Sequence, residues 1–217
     1  MSGMSRREFI RTGAIVVAGV AVMGGAGCTT SEQSDDETVE TPSRTYEGGN
    51  EMSARVLVGY ATRTGSTIGV AEKIGEVLGK RGFTVDVKPL REHPAVEGYD
   101  AVVLGSAVNG GAWLPEAVDF VTANQTRLST IPTCVFCVHS MNGGADEKQS
   151  KKRLAYLDKV RSLVTPADEG FFLGKGPDPD DTSLIARWAF KAFGGSGEGD
   201  MRDWDKIGAW AEDAPVQ

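Results

Sequence analysis

The stretch Val56-Leu-Val-Gly-Tyr-Ala-Thr-Arg-Thr-Gly-Ser-Thr67 decides the reading of this chain. It runs from a short apolar strand, through a hydroxyl-rich turn with one glycine, into the start of a helix. Beyond the turn, Val70, Ala71, Ile74, Val77 and Leu78 recur at helical spacing and define one apolar face. A strand that feeds a helix through such a turn aims free backbone N–H groups at one spot. The positive end of the helix dipole lies there too, so the turn suits an anion. Thr62, Thr64, Ser66 and Thr67 add hydroxyls, Arg63 adds a cation, and Gly65 allows close approach. The turn has no lysine at the spacing of a nucleoside-triphosphate loop and no GxGxxG of a dinucleotide fold. A single terminal phosphate is the expected anion; a capped helix start is the plainer alternative.

Outward from that turn, strands and helices alternate. Gly82 stops the first helix, and Phe83–Lys88 follows as a second strand at or near a sheet edge. Asp100–Ser106 and Thr133–His139 are continuous apolar runs, the mark of buried parallel strands, and Glu169–Gly174 is a fifth strand. Pro115 opens a helix with Ala117, Val118 and Val121 on one face. A charged helix is expected over 149–163 with Leu154, Leu157 and Val160 inward, and two more helices near 183–193 and 204–212. Arg187, Lys191 and Arg202 near Trp188 and Trp204 read either as a partner surface or, more plainly, as a solvated helix face over a packed Trp. This is an α/β pattern: a flavodoxin-like, doubly wound, five-stranded parallel sheet in the order 2-1-3-4-5. Ligands of such sheets sit beyond the strands' carboxyl ends, at the switch between strands 1 and 3.

Three loops meet at that switch. The first is Thr62–Thr67. The second, Ser106-Ala107-Val108-Asn109-Gly110-Gly111-Ala112-Trp113, has small residues and paired glycines that let backbone amides reach a flat ring. Trp113 either stacks on that ring or packs under the next helix. The third begins with His139 and Ser140. His139 either contacts the ligand or caps its strand, and no partner nearby marks it as a metal ligand. No side chain in these loops is a convincing catalytic acid, base or nucleophile.

Thr62-Arg63-Thr64-Gly65-Ser66-Thr67 resembles the T-x-T-G-x-T phosphate loop of flavodoxins, which hold FMN. The stretch Gly105–Val121, and the tail Gly194-Gly195 followed by Gly199-Asp200-Met201-Arg202-Asp203-Trp204-Asp205, resemble the flavodoxin-domain family that includes menaquinone-dependent protoporphyrinogen oxidase. The resemblance covers Arg55 to about Ala214. It implies FMN as cofactor and electron exchange with a quinone or a redox protein. In porphyrin-oxidising members a long, basic, aromatic insertion follows the fourth strand. Here Ser140–Lys148 is short and mixed in charge, which weakens the case for porphyrinogen. A cofactor-free binding module on the same fold is the reading from another class.

The amino terminus has a different character. Ser5-Arg6-Arg7-Glu8-Phe9-Ile10-Arg11 resembles a twin-arginine export motif, and a short apolar run, Gly13 to Gly27, follows. Gly25-Ala26-Gly27-Cys28 resembles a lipobox, with Cys28 as the lipidation site. The twin-arginine route carries folded proteins, which suits a cytoplasmically loaded cofactor. Residues 29–53, rich in Ser, Thr, Glu and Asp, read as a disordered acidic tether. The expected organisation is therefore a signal over 1–28, a tether over 29–53 and a folded domain over 54–217. It places the domain on the outer face of the cytoplasmic membrane through a lipid or signal anchor. The chain of 217 residues carries a net charge of -7, which argues against nucleic acid as a partner. Cys134 and Cys137 match C-x-x-C but lie in a strand, where three residues span roughly 10 Å and reverse the side-chain face. Both read as buried thiols rather than a disulfide.

Overall fold

The computed structural model describes residues 39–49 and 53–217. The signal motif, the apolar run and Cys28 lie outside the described residues.

Among the described residues seven strands form one sheet: β1 (Arg44–Tyr46), β2 (Arg55–Ala61), β3 (Thr84–Pro89), β4 (Ala101–Asn109), β5 (Ala112–Trp113), β6 (Thr133–His139) and β7 (Asp168–Leu173). The order is β1-β3-β2-β4-β6-β7, with β5 paired to β4. Strands β3, β2, β4, β6 and β7 are parallel and reproduce the expected 2-1-3-4-5 order. Their apolar runs are buried on both faces, as helices on each side require.

The helices are α1 (Ser66–Lys80), α2 (Pro115–Ala123), α3 (Gln125–Leu128), α4 (Glu147–Leu154), α5 (Asp158–Arg161), α6 (Leu184–Ala192) and α7 (Trp204–Asp213). One core face packs Val58, Val70, Ile74, Phe136 and Ile207 between the sheet, α1 and α7. The other packs Leu57, Leu104, Phe120, Leu157 and Val160 beneath α2 and α5. Cys134 belongs to the first cluster and Cys137 to the second, so the two thiols face opposite ways and are free.

Three features differ from expectation. Part of the presumed tether is structured: β1 pairs antiparallel with β3 and covers the exposed edge of the parallel sheet. Its anchors are polar, which is why no apolar periodicity announces it. Thr45 Oγ1 donates to Asp86 at 2.7 Å, Arg44 pairs with Glu72, and the Tyr46 hydroxyl donates to the Glu72 carbonyl at 3.2 Å. Upstream, Tyr60 donates to the Pro42 carbonyl at 2.7 Å, and Arg91 donates to that of Val39 at 3.2 Å. Secondly, the charged helix is broken by a 3-10 turn at Ala155–Leu157. Tyr156 and Leu157 turn inward there, and Leu154 is left 46% exposed rather than buried. Finally, Trp188 of α6, whose plainer reading is a packed residue, is 73% exposed.

Candidate functional site

The turn between β2 and α1 is built as an anion site would be. Gly65 stands at the N-cap in the left-handed region, with φ of 83°, and no side chain caps the helix. By contrast α4, α6 and α7 are each capped by a side chain, Asp146, Ser183 and Asp203. The Gly65 amide donates to Thr62 Oγ1 at 3.0 Å, which folds the turn and leaves the Thr62 O–H free to donate. Thr67 is fully buried, and its Oγ1 has no hydrogen-bond partner. A buried hydroxyl without a partner costs about 1–3 kcal/mol, so a missing partner is the physical expectation. An anion at this helix start would supply it.

Two adjoining clefts open at the carboxyl ends of the strands. One, of about 210 Å³, is lined by Arg63, Thr64 and Ser66 from the turn, by Ala107, Val108 and Asn109, and by His139 and Ser140. The other, of about 400 Å³, shares Val108, Asn109, His139 and Ser140 and continues past Gly110, Gly111, Tyr156 and Phe193. The topological switch point therefore brings the three loops together around two clefts, the smaller beside the uncapped helix start and the larger beyond it.

The remaining candidates support this site from behind. Ser106 is fully buried; its hydroxyl donates to the Ala107 carbonyl at 2.8 Å and accepts from the Leu114 amide at 3.0 Å. It fixes the loop rather than facing the cleft. Gly110 and Gly111 both have positive φ and close a two-residue hairpin between β4 and β5. A tight hairpin of this kind needs such conformations at both central positions. Trp113 is 4% exposed, and its indole N–H donates to Cys137 Sγ at 3.1 Å. Of the two readings of Trp113, packing is the one this burial supports.

His139 is nearly buried yet contributes to both clefts. Its Nδ1 lies 2.7 Å from the Met141 carbonyl, an acceptor, so Nδ1 carries the proton and Nε2 offers a lone pair. Burial, outweighing the Met141 hydrogen bond and assisted by the charges of Arg153 and Lys206, depresses its pKa to about 4. The ring packs against Tyr156 at 5.5 Å. At neutral pH the site thus holds a neutral imidazole of fixed tautomer.

Sequence reasoning missed how the tail braces the segments around the clefts. The Met201 amide donates to the Gly174 carbonyl, and the Ser196 amide donates to that of Ser140 at 2.9 Å. Asp200 accepts from Arg202 Nε at 2.8 Å; that hydrogen bond outweighs partial burial and holds the carboxyl down at about 2. Arg202 also lies 4.5 Å over the Trp204 ring and reaches the Ser66 carbonyl at 3.4 Å. The distinctive Asp-Met-Arg-Asp-Trp tail is thus a latch on the first turn of α1. Lys175, just beyond β7, adds a second cation to the smaller cleft beside Arg63. Its position directly after the fifth strand was the available signal.

Residues 57–176 match the flavodoxin domain family, more than half of the chain. The chain belongs to the flavodoxin domain family. Among curated proteins it is similar to the protoporphyrinogen IX dehydrogenase [quinone] of Escherichia coli K12, with 28% identity over 107 residues. That match covers 48% of this chain and 59% of the relative, so the chain spans about six-tenths of that protein's length. Among solved structures, an archaeal flavodoxin has 14% identity and a TM-score of 0.46, covering 74% of this chain and 95% of its own. A Fusobacterium nucleatum flavodoxin bound to flavin mononucleotide has 12% identity and a TM-score of 0.43, covering 73% and 95%.

Proposed function

We propose that this flavodoxin-domain protein binds one FMN in the two adjoining clefts and passes electrons between it and a quinone or a redox protein. One observation carries the reading: an uncapped helix start, with Thr64 and Ser66 in the wall of the smaller cleft and the buried Thr67 hydroxyl without a partner next in the chain, adjoins a wider, loop-lined space. A phosphate at one end and a flat ring at the other match that shape. The backbone amides at the start of α1, with Thr64, Ser66 and Thr67, hold the phosphate; Arg63 and Lys175 balance its charge. Val108, Asn109 and Gly110 face the ring, and His139 Nε2 accepts a hydrogen bond there. Bound FMN supplies reversible electron transfer; the protein supplies position and polarity.

A second reading has one observation in its favour. The cleft of about 400 Å³ lies in the range of small-molecule sites, with Lys152 and Tyr156 in its wall. It offers room for an organic substrate beside the ring, as a quinone-linked dehydrogenase of the protoporphyrinogen type would need. Stopped-flow mixing of the FMN-loaded protein with a menaquinol analogue, then with quinone, tests the main reading. Flavin bleaching and recovery are expected. If neither a quinone pair nor any protein donor exchanges electrons with bound flavin, both readings fail.

For localisation we infer export through the twin-arginine motif and lipid attachment at Cys28, which tether the domain to the outer face of the cytoplasmic membrane. The motifs Ser5–Arg11 and Gly25–Cys28 support this. Changing Arg6 and Arg7 to Lys should hold the precursor in the cytoplasm, and Cys28→Ala should abolish labelling by a lipid precursor. Normal export or persistent labelling removes the corresponding reading.

A further inference from the structure

Helix α6 is turned inside out. Leu184, Ile185, Trp188 and Ala192 share one face by helical spacing, and that face points to solvent: the three large residues are 76%, 82% and 73% exposed. The inner face holds Arg187, paired with Glu198, and Phe190, which packs on Gly195. Phe193, just past the helix, is 79% exposed and forms part of the rim of the larger cleft. An amphipathic helix with its apolar side outward needs something to cover it.

We propose that α6 lies flat on a lipid bilayer, with Leu184, Ile185 and Trp188 entering the boundary between headgroups and acyl chains. Two arguments select lipid over a second copy of the chain or another protein. Nine residues of helix measure about 14 Å, too short to span a bilayer but suited to its interface. Cations also lie near the patch although the chain as a whole is acidic: Lys191 sits on α6, and Lys152, with no ion pair among the described residues, lines the larger cleft together with Phe193. Trp beside Lys on a short apolar helix face is the composition of an interfacial segment. Asp178, Asp180 and Asp181 precede the helix, which confines the attraction for anionic lipid to its cation end. Apolar insertion supplies the larger share.

Docked this way, the rim of the larger cleft at Phe193 faces the bilayer. Given the electron-transfer reading above, a lipid-soluble oxidant or reductant then reaches the cleft without crossing bulk water. The membrane contact itself does not depend on that reading, and its test uses no flavin.

The full chain is mixed with vesicles of phosphatidylcholine and phosphatidylglycerol at 3:1, with or without bromine on the acyl chains, and tryptophan emission is recorded. Brominated chains quench a tryptophan only where it enters the bilayer. We expect quenching in the parent chain and loss of most of it in Trp188→Phe. Because an amino-terminal anchor could hold the protein on vesicles by itself, the decisive signal is the part of the quenching that belongs to Trp188. The double variant L184D/I185D, at exposed positions that leave the core untouched, should keep its far-ultraviolet spectrum and lose the Trp188 quenching about tenfold or more. Unquenched parent protein overturns the proposal, as does equal quenching in Trp188→Phe. A concentration-dependent dimer in sedimentation, abolished by Ile185→Asp, would assign the face to a second copy instead.

Discussion

His139 makes folding stability depend on pH in a calculable way. Its imidazole is neutral in the fold, with a pKa near 4, against about 6.5 when unfolded. The unfolded chain therefore binds a proton that the folded chain refuses as pH falls below 6.5. The stabilisation is complete above pH 6.5 and disappears as pH approaches 4. Between pH 7.5 and 4.5 the loss from this one group is on the order of 2–3 kcal/mol. His139→Gln keeps a polar side chain of similar reach but cannot titrate, so its stability should lack this component. Urea unfolding of both proteins at several pH values measures the difference, and carbon-bound imidazole proton shifts follow the titration directly. Parallel pH profiles, or a folded-state midpoint near 6.5, would refute the buried neutral imidazole and with it a lone pair directed at the cleft.

Three further outcomes are expected. Thr64→Ala should weaken FMN binding about ten- to a hundredfold by removing one hydrogen bond to a charged phosphate, checked by fluorescence titration. Gly105→Ala should destabilise the fold by about 1–3 kcal/mol or prevent folding, because its Cβ would lie 1.9 Å from the Phe136 ring; thermal melts report it. Cys134 and Cys137, whose thiols burial raises to about 12, should resist a thiol reagent until denaturant is added. Fast modification of the native protein would contradict that.

The strand pattern was legible because it rests on long-range burial: Val56–Ala61, Ala101–Gly105 and Cys134–Val138 are continuous runs without a charged or strongly polar side chain, as interior strands need. The strand-to-helix turn at 62–65 and its open helix start were legible because one glycine and four hydroxyls stand between a strand and a helix. What escaped depends on polar contacts between distant segments. Nothing local in Arg44-Thr45-Tyr46 indicates that Asp86, half a domain away, receives Thr45. Burial pushes the Asp86 carboxyl up, but hydrogen bonds from Thr45 and Tyr99, the charge of Lys88 and Arg55 hold it below its ordinary value. The tail was visible as a signature without its function, because only the fold brings Arg202 to the first turn of α1. Trp188 misled for the opposite reason: a tryptophan on an amphipathic helix is expected to pack inward, and here the helix is turned over.

The account rests on a phosphate held at the start of α1, and a paired titration tests that most directly. Equilibrium binding of FMN and of riboflavin to the same purified chain, with the released cofactor weighed by mass spectrometry, separates the phosphate contribution from that of the ring. The account predicts one FMN per chain and riboflavin bound far more weakly, with the gap narrowed in Thr64→Ala. Equal affinity for the two ligands, or a colourless protein that takes up neither, would contradict it.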